Sequence, residues 1–510
     1  MLARLCSASL RGLDAEAVDV EVDLSRGLPC WNLVGLPEGS VREARERVRS
    51  AVVNSGFEFP LRRITVNLAP ADTRKDGSHF DLPIAVGLLL ASGQLDSSNS
   101  NESPAPFLIG ELALDGRLNP VRGVLPLVLF ARSQGYSTVI LPQGNADEAA
   151  AVEGITVLPA DHFLAVAQHL VGKKPLEIAE INISLPEATE KIADMADIRG
   201  QQQARRVLEI AAAGSHHLLM TGSPGVGKSM LAQRLPGIMP LLTMQQAMEV
   251  TRIYSVSGDT SRQPMSRRPP LRQPHHSASD VAIVGGGSSP KPGEISKADH
   301  GILFLDELAE HNRAVLETLR QPLEDGRVCI ARASDTIEFP ARFQLVAAMN
   351  PCPCGYLGHP TKACRCSSSQ IRRYMGRISG PLLDRFDLTI QVPPVEREEL
   401  ARMQPGESSA SIAKRVEAAR QRQYERLGDG RSNARMTTGE IEKFAKPDAE
   451  GLKLLDHAMK HFSLSARSYH RILKVARTIA DLGSSENVAS SHIAEALQYR
   501  GEDLQDIADS

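Results

Sequence analysis

Aromatic residues are scarce in this sequence, at 4% with a single tryptophan. That scarcity argues against stacking platforms as the main way of holding single-stranded nucleic acid. Long apolar runs are missing too. The longest, Leu82 to Ala91, contains a proline and falls far short of the roughly 20 residues that would cross a bilayer, so no membrane partner is expected. The N-terminus offers Arg4 and a few apolar residues but no extended hydrophobic core before a cleavage site, and a cytoplasmic location is the expectation. Charge of one sign is lacking: 58 Lys and Arg face 61 Asp and Glu, a net charge of -3. Any binding of nucleic acid must therefore come from a local patch. Cysteines number only seven, and in a reducing compartment they are not expected to form disulfides. Yet four of them crowd into CPCGYLGHPTKACRC, residues 352–366.

At 510 residues, with 42% hydrophobic and 23% charged, the chain is long enough for about three domains. The first segment, 1–172, alternates strand-like runs (Val18 to Val22, Ile64 to Leu68) with helix patterns, as an α/β or α+β domain does. Ser40 and Glu43 have the spacing of a capping box, with Val41, Ala44, Val48 and Val52 at helical spacing behind them and Gly56 placed to close the helix. The polar stretch 97–106 reads as a mobile loop, and 173–190, where apolar periodicity fades, as a linker. Residues 191–395 place short apolar strands before helices in the order of a doubly wound parallel sheet. From 396 to 510 the pattern is helical, clearest in RILKVARTIADL. The fold class expected is α/β multidomain.

Gly222, Ser223, Pro224, Gly225, Val226, Gly227, Lys228 and Ser229 satisfy G-x-x-x-x-G-K-[ST]. Glycines let backbone N–H groups curl around phosphates, Lys228 can reach the β and γ oxygens, and Ser229 can ligate Mg²⁺. A chance glycine turn is the bland alternative, and the flanking strand and helix count against it. Downstream, Ile302-Leu303-Phe304-Leu305 runs into Asp306 and Glu307. Asp306 is placed for the Mg²⁺ shell and Glu307 to polarise an attacking water; two solvated carboxylates at a strand tip are the alternative. Asn350 ends the next strand, where its amide can orient that water. Arg385, in LLDRFD, reads as an arginine finger for a neighbouring subunit's nucleotide or as a structural ion pair. Arg467, in LSARSYHRIL, is a candidate lid arginine facing the γ-phosphate. ATP and Mg²⁺ are the implied cofactors.

Together DIRGQQQARRVLEIAAAGSHHLLMTGSPGVGKS, PHHSASDVAIVGGG, HGILFLDEL, AAMNPCPCG, GPLLDRFDL and RILKVARTIADL resemble the YifB/ComM family of magnesium-chelatase-like AAA+ ATPases over nearly the whole chain. The resemblance implies an AAA+ domain at 191–395, a helical lid at 396–510 and a homo-hexamer with ATP between subunits. It also implies a DNA helicase acting on branched, single- or double-stranded DNA, which promotes branch migration during natural transformation beside recombination proteins. Residues 61–130 resemble the proteolytic domain of Lon, in RKDGSHFDLP and GELALDGRLNPVRGVLPLVL. Lon-type acyl transfer needs a serine and a lysine together. Here the serine position falls on His79 and the lysine position on Leu125, with only Ser78 and Lys75 as a displaced pair, so no peptidase activity is expected.

Two further features carry expectations. The segment 255–298 reads as one long basic loop with GGG inside it, and loops this long are usually functional or disordered. Its Arg262, Arg267, Arg268, Arg272, His275, His276, Lys291 and Lys297, with Arg332 of a hairpin-like stretch at 327–340, are candidate DNA-phosphate contacts that a ring would multiply. A solvated basic loop is the alternative. In the Cys-rich loop, 350–368, Cys352-x-Cys354 and Cys364-x-Cys366 offer four thiolates to structural Zn²⁺, with His359 as a substitute ligand; a thiol-lined turn without metal is the alternative. Rival functions are a metal-chelatase motor subunit and an ATP-driven protein-remodelling factor.

Overall fold

A computed structural model describes the chain except for residues 96–104, 180–192, 288–289, 332–335, 395–404, 429, 462–464 and 501–510. Its N-terminal region is built on alternation. In β2 (Asp14–Ser25), Val18, Val20, Val22 and Leu24 are buried, and in β4 (Arg63–Ala69), Ile64, Val66 and Leu68. Side chains at every second position share one face of a strand, so both strands turn the same face to one core. With β1 (Leu2–Arg11) and β3 (Cys30–Val34) they form a four-stranded sheet in the order β1-β2-β4-β3. Only the β3–β4 pair is parallel. Helix α1 (Asp81–Ser92) lies on it with ten of its twelve residues buried. A smaller parallel sheet, Phe107–Leu108, Thr138–Pro142 and Thr156–Ala160, completes this mixed α/β region.

The expected capping box does not form. Ser40 lies inside a short helix, Gly39–Arg42, where its hydroxyl donates to Asp76 Oδ1 at 3.1 Å and accepts from the Gly77 N–H. A tertiary partner thus claims the side chain that local spacing assigned to the helix end. Gly56 follows the helix Ala44–Asn54 by two residues and takes φ +86°. The proposed mobile loop falls largely on residues outside those described, as does most of the second half of the linker.

The second region is a five-stranded sheet made of β5 (Leu218–Thr221), β6 (Leu271–Arg272), β7 (Ile302–Leu305), β8 (Gln344–Met349) and β9 (Leu388–Gln391). Its order is β6-β7-β8-β5-β9, with every pairing parallel. These strands are near-continuous apolar runs because helices cover both faces. One cover comes from the C-terminal helices α2 (Ser409–Leu427), α3 (Ala466–Leu482) and α4 (Ser490–Gln498). Ile412, Val416, Ile472, Leu473, Ile479 and Ile493 belong to the same buried cluster as Leu218, Phe304 and Val346. No described helix is long and apolar enough to cross a membrane.

Residues 255–298 are not one loop. They contain the end of a helix, Met244–Ser257, then β6, a helix at Asp280–Val284, a small hairpin pairing Gly285–Gly286 with Lys291–Pro292, and a turn of helix at Glu294–Lys297. The helix Met244–Ser257 also fastens the two regions together. The Gly123 N–H donates to Ser255 O at 2.9 Å, and Arg252 donates to Leu13 O and Asp14 Oδ1 at 2.9 and 2.8 Å. Glu148, half-buried at this seam, has its carboxyl pushed up to about 7 by desolvation, with hydrogen bonds to Ser255 and Asn145 opposing.

Candidate nucleotide site and the cysteine turn beside it

Sheet register assembles the site. Thr221 pairs with Met349, so the chain leaves two adjacent strands at the same level as Gly222 and Asn350, and the Gly222 N–H reaches Met349 O at 3.3 Å. Gly225 and Gly227 take φ of +81° and +93°, the left-handed values that let a short loop curl its N–H groups inward. Lys228 Nζ donates to Gly222 O at 2.6 Å, Ser223 O at 3.1 Å and Asn350 Oδ1 at 3.2 Å. Its ammonium is buried, and burial lowers its pKa while Asp306 and Glu307 pull it back up. Ser229 Oγ donates to Asp306 Oδ2 at 2.6 Å.

A hydroxyl and a carboxylate meeting beside a buried ammonium are hard oxygen donors of the kind Mg²⁺ takes along with phosphate oxygens. The residues present therefore fit a Mg²⁺-nucleotide. Glu307 stands next to Asp306 with φ +51°, a left-handed conformation rare for a side chain of this kind. His276 Nδ1 lies 3.4 Å from Glu307 Oε2. His311 Nε2 lies 3.1 Å from Asp306 O, and the Tyr374 hydroxyl bonds the Asn350 backbone. None of these three contacts follows from spacing along the chain: His276 reaches Glu307 because β6 and β7 are neighbours in the sheet.

Arg385 is held in an ion pair with Glu324. Burial lowers its pKa, and Arg467, Arg320 and Arg471 lower it further, so four guanidinium groups share one neighbourhood. Arg471 pairs with Asp384 at 3.4 Å and Arg320 with Glu317 at 2.8 Å. Arg467 has no ion-pair partner among the described residues, and it stands beside Arg385.

The cations expected to contact DNA have varied surroundings. Arg272 is clamped by Glu294 at 2.6 and 2.9 Å and faces Asp259 at 3.4 Å. Lys297 pairs with Asp259 and Glu294 at 3.1 and 3.2 Å. Two carboxylates thus match the charge of these two cations. Arg267 Nε donates to Leu242 O at 2.8 Å, and Arg262 donates to the carbonyls of Ser266 and Arg268. Arg268 is half-buried. The exposed His275 lies against His276, with ring centroids 4.1 Å apart and the rings tilted, and His276 in turn approaches Glu307. Lys291 is exposed, with Arg122 and Asp76 of the N-terminal region in its electrostatic surroundings. Arg332 lies outside the described residues, although the hairpin it belongs to, Arg327–Ala331 with Thr336–Pro340, is formed.

In the N-terminal region, Lys75 is fully buried and its ammonium donates to Pro70 O and Thr73 O. Ser78 Oγ bonds Glu111 Oε2. His79 Nε2 lies 2.8 Å from Ala8 O, and burial holds the ring down to about 4. Leu125 is core.

The four cysteines of the 352–366 turn converge, with Cys352 buried and the others half-buried. His359 does not join them: its Nδ1 accepts from the N–H groups of Thr361 and Lys362 at 3.1 Å each. Glu249, Asp299 and His300 also converge, but Arg342 sits on both carboxylates and supplies the positive charge a cation would bring.

Comparison with known proteins covers nearly the whole chain. Residues 194–400 match the family model for magnesium chelatase, subunit ChlI; 20–145 that for subunit ChlI of Mg-chelatase; and 406–500 that for the ChlI C-terminal part. The competence protein ComM of Haemophilus influenzae is 47% identical over 508 residues, 98% of this chain and 97% of that protein. YifB of Escherichia coli is 46% identical over 494 residues, 96% of each chain. The Lon protease of Rhizobium meliloti is 25% identical over 169 residues, 32% of this chain and 20% of that protein.

Proposed function

The chain belongs to the YifB/ComM family of magnesium-chelatase-like AAA+ proteins, and from that premise we infer that it is an ATP-hydrolysing ring motor acting on DNA. The observation that carries the reading is the convergence of Lys228, Ser229, Asp306 and Asn350 at one end of a parallel sheet. Gly222 to Ser229 would hold the nucleotide, with Ser229 and Asp306 holding Mg²⁺; the bound pair supplies a phosphoanhydride and the charge that activates it. Lys228 keeps a positive charge where the β and γ oxygens sit. Glu307 takes the proton of the attacking water, and Asn350 orients that water.

A single chain lacks one part. Arg467, without an ion-pair partner among the described residues, and Arg385, which would exchange Glu324 for phosphate, are the groups offered to a neighbouring subunit's nucleotide, in keeping with a homo-hexamer. Arg467, expected as a lid arginine facing the γ-phosphate, would in this arrangement act near the finger. The name competence protein, borne by the Haemophilus relative, supports DNA taken up in transformation as the substrate and branch migration as the outcome. Zn²⁺ on the four thiols completes the cofactor set as a structural ion, because four protein sulfurs leave no open position.

The test pairs ATP hydrolysis with four-way-junction migration. DNA should stimulate hydrolysis by the wild-type protein, and Glu307→Gln should bind ATP yet lose both activities. Hydrolysis indifferent to DNA would remove the DNA motor and favour a chelatase or remodelling subunit.

A further inference from the structure

The cysteine turn leaves the sheet immediately after Asn350 and comes to rest on the phosphate loop. Cys352 Sγ is 3.4 Å from Cys354 Sγ and 3.6 Å from Cys364 Sγ, and Cys354 Sγ is 3.6 Å from Cys364 Sγ. Cys366 joins them, with all four sulfurs within 4.8 Å of one another. A disulfide would need about 2.05 Å. Four sulfurs at ~2.3 Å from a tetrahedral ion lie roughly 3.8 Å apart. The observed spacings are far from the first value and close to the second.

Gly355, between the two cysteine pairs, takes φ +81°, and a Cβ built on it would lie 2.5 Å from Pro224 Cδ, 2.7 Å from Pro224 Cγ and 3.8 Å from Asn350 Cγ. The turn thus presses bare backbone against the proline of the phosphate loop. Its next residues, Leu357 to Pro360, wall a cavity of about 620 Å³ that Gly222 and Ser223 also line.

We propose that a divalent cation of the zinc class binds Cys352, Cys354, Cys364 and Cys366, and that the clip so formed braces the phosphate loop through Gly355 and Pro224. Nucleotide affinity then depends on metal occupancy. The second half of this rests on the ATP reading of the phosphate loop. The turn is rich in glycine and proline and has no regular element between Asn350 and the helix Ser368–Met375. Its only fully buried thiol-bearing residue is Cys352, so thiols alone give it little to pack on. Metal binding exchanges thiol protons for one ion and fixes four points of the turn at once. With Pro224 seated, the loop's N–H groups keep the phosphate-binding conformation. Without the ion the loop samples others, and apparent affinity falls by the fraction of time it is competent.

The experiment uses the full chain purified without chelator. Elemental analysis should find one zinc per chain, and Co²⁺ exchanged into the site should give the absorption of tetrahedral thiolate coordination. Binding of a fluorescent ATP analogue is then measured on wild-type protein, on the same protein stripped of metal, on the stripped protein given Zn²⁺ back, on Cys364→Ser with Cys366→Ser, and on Pro224→Ala. Stripping should weaken binding about tenfold or more, and Zn²⁺ should restore it in the wild type but not in the double serine variant. Pro224→Ala should keep its zinc and still bind nucleotide more weakly.

Absence of thiol-bound metal overturns the site. Metal present, with nucleotide affinity unchanged by stripping and by Pro224→Ala, overturns the brace. Failure of the zinc-loaded wild type to bind nucleotide at all would instead overturn the ATP reading. If the double serine variant does not fold, the stripped and restored wild type decides the matter.

Discussion

Two lysine–serine pairs in this chain reach opposite ends. Lys228 and Ser229 sit in a glycine loop, and register delivers Asn350 and Asp306 to them from two other strands. Lys75 and Ser78 are nearly as close in sequence, but the ammonium is buried against two backbone carbonyls and the hydroxyl is held by Glu111. The first pair faces groups with something to bind; the second is fully answered by its own region. What separates the two pairs is where the acceptors are, and residue type does not reveal that.

The comparison is broken or sharpened by five measurements. Arg385→Ala, which asks whether the first pair is complete within one chain, should lower ATP turnover by about 10³-fold or more. Turnover should reappear when that variant is mixed into rings with Glu307→Gln, since some interfaces then carry both groups; no recovery would place Arg385 in its own chain's site. Lys228→Ala should cost on the order of 10²–10³-fold in turnover, measured at saturating ATP and DNA.

Lys75→Ala is the counterpart. It should leave turnover per folded molecule unchanged, and denaturant melts should show a loss of about 1–3 kcal/mol from the carbonyls left unpaired. Casein incubated with the wild type and with Ser78→Ala should stay equally intact, and ATP-dependent cleavage lost in the variant would restore the peptidase. A last measurement concerns the seam. Glu148 has a folded pKa of about 7, above the roughly 4.3 of a free glutamate, so the folded state holds the extra proton between those values. Stability is therefore greatest below about 4 and declines as pH rises to about 7, beyond which the loss is complete. Glu148→Gln should flatten that decline in thermal midpoints taken across the range.

Much of the nucleotide site was legible because its chemistry is contiguous: eight residues spell the loop, and an apolar strand ending in two acids announces its partner. Strand alternation in residues 18–22 and 64–68 was legible for the same local reason. The failures share the opposite cause. Arg272 meets Glu294 across 22 positions, and Ser40 meets Asp76 across 36, so the ion pair of one and the tertiary hydroxyl contact of the other come from distant partners that local spacing does not show. His276 was legible as a polar residue in a basic segment, but its place beside Glu307 needed the strand order.

The C-terminal helices carry one more consequence. For α3 to separate from α2, α4 and the helix Gln202–Gly214 it packs on, Ile472, Leu473, Val475 and Ile479, each no more than 4% exposed, would meet water at about 1.5–3 kcal/mol apiece. That sum is comparable with the whole stability of an ordinary domain. This part of the chain is therefore a keel and not a hatch: α3 keeps company with the helices it is packed on.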